Sequence, residues 1–65
     1  MGYQIRSLRL AWSLSLQQLA NKASLSIEMV SQFERGLVSP SVPSLRQISQ
    51  ALEVPTAYFF KQPSP

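Results

Sequence analysis

The chain contains no cysteine and no histidine. The first absence excludes disulfides and cysteine-based zinc sites. The second removes the commonest general base and the commonest metal ligand. Acids are scarce as well: Glu28, Glu34 and Glu53 are the full set, dispersed along 65 residues. These absences argue against an enzyme, and no metal or other cofactor is expected. Long hydrophobic runs are missing too. The longest, Ala57 to Phe60, is far too short to span a membrane. Met1 to Leu10 carries Arg6 and Arg9 but no apolar stretch, so no secretory signal is expected and a reduced, cytoplasmic setting is the default.

What is present suits one small folded domain. Hydrophobic residues make up 45% of the chain and charged residues 14%, which is no composition for a disordered segment. The core of so short a chain is marginal. Six Lys plus Arg against three acids leave a net charge of +3. That balance suits a polyanionic partner, although Arg6, Arg9, Lys22, Arg35, Arg46 and Lys61 form no run and many ordinary domains carry as much.

Apolar residues recur at intervals of three and four, the helical period. Ile5, Leu8 and Trp12 form a first series; Leu16, Leu19, Ala20 and Ala23 a second. Met29, Val30, Phe33 and Leu37 form a third, and Leu45, Ile48, Ala51 and Leu52 a fourth. No alternating strand pattern and no internal repeat is visible. Ser15 with Gln18 reads as a capping box, with Leu14 and Leu19 at the staple positions. Ser26 repeats the device for the third helix, with Leu25 and Val30. Gly36 ends that helix, because glycine takes the left-handed conformation cheaply. Ser41 or Val42 begins a fourth helix, whose first turn tolerates Pro43. Val54-Pro55 closes it and starts a short fifth helix through Phe60. The domain is expected over residues 1–60, with a polar, proline-rich tail or linker start at 61–65.

The gap between the second and third helices, about Ala23 to Ser26, is right for a helix-turn-helix. Ala20 is expected to be small because the third helix passes close over it. An ordinary helical hairpin in a small bundle has the same spacing, so spacing alone does not separate the two.

The residues themselves carry more. The stretch LSLQQLANKASLSIEMVSQFERG, followed by SPSVPSLRQISQALEVP, resembles the Cro/C1-type (XRE-like) helix-turn-helix domain over Ile5 to about Phe60. VSQFERG followed by SPSVPSL is the most specific piece. Within the family the closest likeness is to the N-terminal domain of regulators with a C-terminal cupin sensor. The resemblance implies an all-α, compact five-helix, lambda-repressor-like fold, with the third helix, about Ile27 to Arg35, as the recognition helix in the major groove. The chain departs from the family in carrying Ser13, Ser24 and Glu53 where glycine is frequent. If those backbones are left-handed, each costs roughly 1 kcal/mol. Leu16 stands where the family often has a phosphate-binding Gln, so that contact is expected to move to Gln17 or Gln18.

With Val30 and Phe33 facing the core, helical geometry puts Ile27, Glu28, Ser31, Gln32 and Arg35 on the outer side of the third helix. Family counterparts of these residues contact DNA. Ile27, Glu28, Ser31 and Gln32 are the candidate base-contacting residues. Gln32 suits adenine, since an amide bonds N6 and N7 together. Glu28 suits cytosine N4, or is only a favourable charge near a helix N-terminus. Ile27 suits a thymine methyl, or is one exposed apolar residue needing no explanation. Candidate phosphate contacts are Gln17, Gln18, Ser26, Arg35, Ser39 and Ser41; for the serines, turn and cap chemistry competes. Arg9 and Glu34 match family positions that form a partly buried ion pair. Tyr3 and Trp12 read as packing residues with a polar handle.

The resulting reading is sequence-specific binding to a double-stranded DNA operator by a transcriptional regulator, a repressor in the first instance. The expected state is a homodimer on half-sites about one helical turn apart. Membrane association is not expected. Dimerisation and effector sensing are assigned to a further domain if the natural chain continues beyond Pro65. The competing reading is a protein-protein interaction module of the same fold; a nuclease is disfavoured by the missing histidine and the scattered glutamates.

Overall fold

The structure is a computed structural model that describes residues 2–59. Four α-helices follow one another: α1 (Gly2–Ala11), α2 (Leu16–Ala23), α3 (Ile27–Glu34) and α4 (Val42–Ala51). A single 3₁₀ turn, Thr56–Phe59, closes the described chain. The fold is therefore all-α, with four α-helices rather than five among the described residues. In place of the expected fifth α-helix, the chain makes one tight 3₁₀ turn, with the Tyr58 N–H donating to the Pro55 carbonyl at 2.9 Å. Phe60 and the expected tail at 61–65 lie outside the described residues.

The helix starts follow local chemistry. The Ser15 hydroxyl accepts from the Gln18 N–H at 3.1 Å, and Gln18 Oε1 accepts in return from the Ser15 N–H at 2.8 Å. Ser26 and Ser41 cap α3 and α4 by accepting from the Met29 and Ser44 N–H groups. All three cap residues have extended backbone, as N-caps require.

The helix ends share one device. After each α-helix a residue takes the left-handed conformation: Ser13 (φ 56°), Ser24 (59°), Gly36 (74°) and Glu53 (58°). Each such residue donates its N–H three residues back, and its successor donates five back. After α2, for example, the bonds run from Ser24 to Asn21 at 3.3 Å and from Leu25 to Ala20 at 2.9 Å. Hence α4 stops at Ala51, earlier than Val54-Pro55, because Glu53 has already reversed the chain. In the same way α3 stops at Glu34, one residue before the expected limit.

The core joins Ile5, Leu19, Ala20, Ala23, Val30, Phe33, Leu45, Ile48, Leu52 and Phe59. It is the periodic series nearly as expected, joined by Phe59. Three members of those series depart from it. Trp12 and Leu37 fall beyond the ends of their helices and are exposed, and Met29 is 39% exposed. Trp12 still donates its indole N–H to the Leu52 carbonyl at 2.9 Å. Tyr3, expected to pack, is 81% exposed, since it stands on the outer side of α1 two residues before buried Ile5.

Two contacts fix α1 on α3. The Arg9 guanidinium donates from Nε and Nη2 to the two Glu34 oxygens at 2.7 and 3.1 Å, and from Nη1 to the Leu14 carbonyl at 2.9 Å. The pair is mostly buried, with side chains 11% and 7% exposed. Gly2 adds a steric condition. A Cβ there would lie 2.4 Å from the Phe33 carbonyl oxygen and 2.8 Å from that of Glu34, so the start of α1 sits on the end of α3 only because the side chain is missing.

Candidate nucleic-acid interface

The two faces of α3 differ in kind. Val30 and Phe33 are buried, and Glu34 is tied to Arg9. Ile27, Glu28 and Arg35 are exposed, while Ser31 and Gln32 are half-buried at the edge of the same outer face. The ion pair and the two buried side chains thus set which way the outer side chains point. One acid and one base, Glu28 and Arg35, stand on this face, and an exposed apolar turn, Leu37 and Val38, follows it.

The candidate phosphate ligands divide by what their polar atoms already do. Gln17 is exposed on the first turn of α2. Gln18 is exposed there too. Its carbonyl oxygen is committed to the capping box, which leaves the amide hydrogens to donate. Ser26 Oγ accepts the cap bond and keeps its own proton. Ser39 is exposed in the turn before α4. Ser41 is the most occupied: Oγ accepts from the Ser44 N–H at 3.3 Å and donates to Ser44 Oγ at 3.0 Å. Its hydroxyl is in use as a cap. Leu16 is half-buried against the core, so the first turn of α2 presents glutamine amides only from the next two positions.

Helices α2 and α3 pack on each other across Ser24–Ser26, with Ala20 fully covered at the crossing. The model of the helix-turn-helix family matches residues 5–59, every described element from Ile5 to the 3₁₀ turn. The chain belongs to the Cro/C1-type helix-turn-helix family. Within this family it is 45% identical over 53 residues to an uncharacterized HTH-type transcriptional regulator of Mycobacterium tuberculosis, covering 82% of this chain and 38% of that one. It is 35% identical over 60 residues to an uncharacterized transcriptional regulator in the ATPase CF(0) region of Rhodospirillum rubrum, covering 92% and 56%. A third such regulator, from Rickettsia prowazekii, is 38% identical over 61 residues, covering 94% and 47%. The helix-turn-helix chain thus spans roughly 38% to 56% of the length of these curated relatives.

The departures of this family member from glycine fall at left-handed positions. Ser13, Ser24 and Glu53 do adopt positive φ, so the expected strain is present at all three. Sequence reasoning missed Met29 as part of the outer surface, because its apolar character placed it in the core series. Its angular position, about 100° from both Glu28 and Val30, was the available signal. Among the described residues no helix is long and apolar enough to cross a membrane.

Proposed function

We propose that this chain is the DNA-reading domain of a transcriptional regulator that binds a specific double-stranded operator with α3 in the major groove. The observation that carries the reading is the division of α3 in a helix-turn-helix family member. One face is locked by Val30, Phe33 and the Arg9–Glu34 pair, and the other offers base-reading side chains to solvent. Gln32 reads adenine through N6 and N7, Ile27 meets a thymine methyl, and Ser31 and Glu28 complete the base-facing set. Gln17, Gln18, Ser26, Arg35 and Ser39 hold the flanking phosphates, which set register without reading sequence; Ser41 takes part only by giving up its bond to Ser44. The relatives are named as transcriptional regulators and are longer than this chain, which supports a further sensing or dimerising domain. The regulator acts in the cytoplasm as a homodimeric repressor on half-sites about one helical turn apart, and it performs no chemistry.

Duplexes selected from a random pool test the reading. An enriched, pseudo-palindromic motif is expected, with affinity falling steeply as salt rises. Gln32→Ala is expected to weaken binding by about 1–3 kcal/mol and to relax one A·T position, with unchanged thermal stability. Failure to enrich any motif, with weak and salt-independent duplex binding, would replace the operator by a protein partner.

A further inference from the structure

The outer face of α3 is centred on an acid. Successive helical residues stand about 100° apart, so Glu28 lies about 200° around from Val30, which is fully buried two positions on. Ile27 and Met29 flank Glu28 at about 100° on either side, and both are part-exposed apolar residues, at 40% and 39%. Gln32 follows one turn later on nearly the same line.

Among the described residues, none occupies this carboxylate. Ser26 already caps α3, the ion pair belongs to Glu34 and Arg9, and no side-chain hydrogen bond of the described residues involves Glu28. Of the other two acids, Glu34 is tied to Arg9 and Glu53 stands in the turn after α4.

An ionised carboxylate only accepts hydrogen bonds. Most major-groove atoms it could meet are acceptors: guanine N7 and O6, adenine N7 and thymine O4. Adenine does have a donor at N6, but N7 stands beside it, an arrangement that suits an amide. Cytosine presents its N4 donor with no acceptor next to it on its own edge. An unsatisfied carboxylate between two phosphate chains is repelled by everything around it, so its effect is mainly to reject wrong bases.

We propose that Glu28 makes a C·G pair obligatory in each half-site by accepting a hydrogen bond from cytosine N4, with Ile27 and Met29 favouring thymine methyls beside it. This rests on the DNA-reading function proposed above and adds the identity of one base and the reason for it. Four residues of helix rise about 6 Å and base pairs repeat about every 3.4 Å. The adenine read by Gln32 therefore lies within about two base pairs of that cytosine.

The test compares motifs selected by the wild-type chain, Glu28→Ala and Glu28→Gln. The wild type is expected to require C·G at one position. Glu28→Ala is expected to lose that requirement, keep the adenine position and bind non-cognate duplex more tightly. Glu28→Gln, which keeps the size and helix preference, is expected to shift the position towards A·T. Replacing the cytosine by N4-methylcytosine, whose remaining amino hydrogen pairs with guanine, is expected to weaken wild-type binding about tenfold and to leave Glu28→Ala unaffected. A C·G requirement that survives in Glu28→Ala, or equal sensitivity of both chains to the methylated base, overturns the proposal. A wild type that selects no motif overturns the DNA-reading function itself, so the two failures are told apart.

Discussion

At the end of α2 the left-handed residue is Ser24, and the next residue, Leu25, packs on the core. At the end of α3 the left-handed residue is Gly36, and the next, Leu37, is 65% exposed. The hydrogen bonds of the two turns are the same. The turns after α1 and α4 side with that of α2, with Leu14 following Ser13 and Val54 following Glu53, both packed on the core. A left-handed L-residue costs roughly 1 kcal/mol, and burying much of a following Leu or Val offsets that by a comparable amount. Where the following residue is buried, this chain tolerates the strain. Where it is exposed, glycine stands. The unstrained turn is also the one that leaves the outer face of α3, where an apolar residue left in solvent brings nothing to the core.

The sharpest challenge to this comparison is Arg9→Ala, because Arg9 Nη1 also holds the Leu14 carbonyl in the turn after α1. Removing it leaves Glu34 desolvated and unpaired, and a loss of about 3 kcal/mol is expected. For a domain this small that lowers the melting temperature by more than about 10 °C. An unchanged melting curve would show that the pair does not hold α1 on α3. Next in size is the contrast between the residues after the turns. Leu25→Ala is expected to cost about 2 kcal/mol and Leu37→Ala less than about 0.5 kcal/mol, both read from urea midpoints. Equal losses would break the comparison outright. The smallest effect is the strain itself. Ser24→Gly is expected to raise stability by about 1 kcal/mol and Gly36→Ser to lower it by a similar amount. A Ser24→Gly variant no more stable than wild type would mean that the turn after α2 has relaxed its strain by other means.

Much of this was legible before the structure. The capping serines, the staple positions and the three-four spacing are local signals, each contained within a few residues, and α2, α3 and α4 begin where those signals place them. The inner and outer sides of α3 followed from angular arithmetic once Val30 and Phe33 were assigned inward. Arg9–Glu34 and the positive φ values at Ser13, Ser24 and Glu53 were legible only through family resemblance. Their partners lie 25 residues apart in the first case, and nothing local in Ser or Glu announces a left-handed backbone in the second. Other features were misread. Met29, Trp12 and Leu37 have the right character for a core series, but periodicity cannot say where a helix stops or how far the core reaches round it. The expected fifth α-helix is a single 3₁₀ turn over the described residues, and the apolar spacing of so short a segment does not tell the two apart.

The sequence by itself determined the helix starts and the apolar faces, because these depend on residue type and short spacing. Only the tertiary structure decided why Gly2 is glycine, since the reason is a pair of carbonyl oxygens at the far end of α3. It alone showed that no side-chain hydrogen bond or ion pair among the described residues reaches Glu28. Those are properties of what surrounds a side chain, and the surroundings exist only once four short helices have closed on one another.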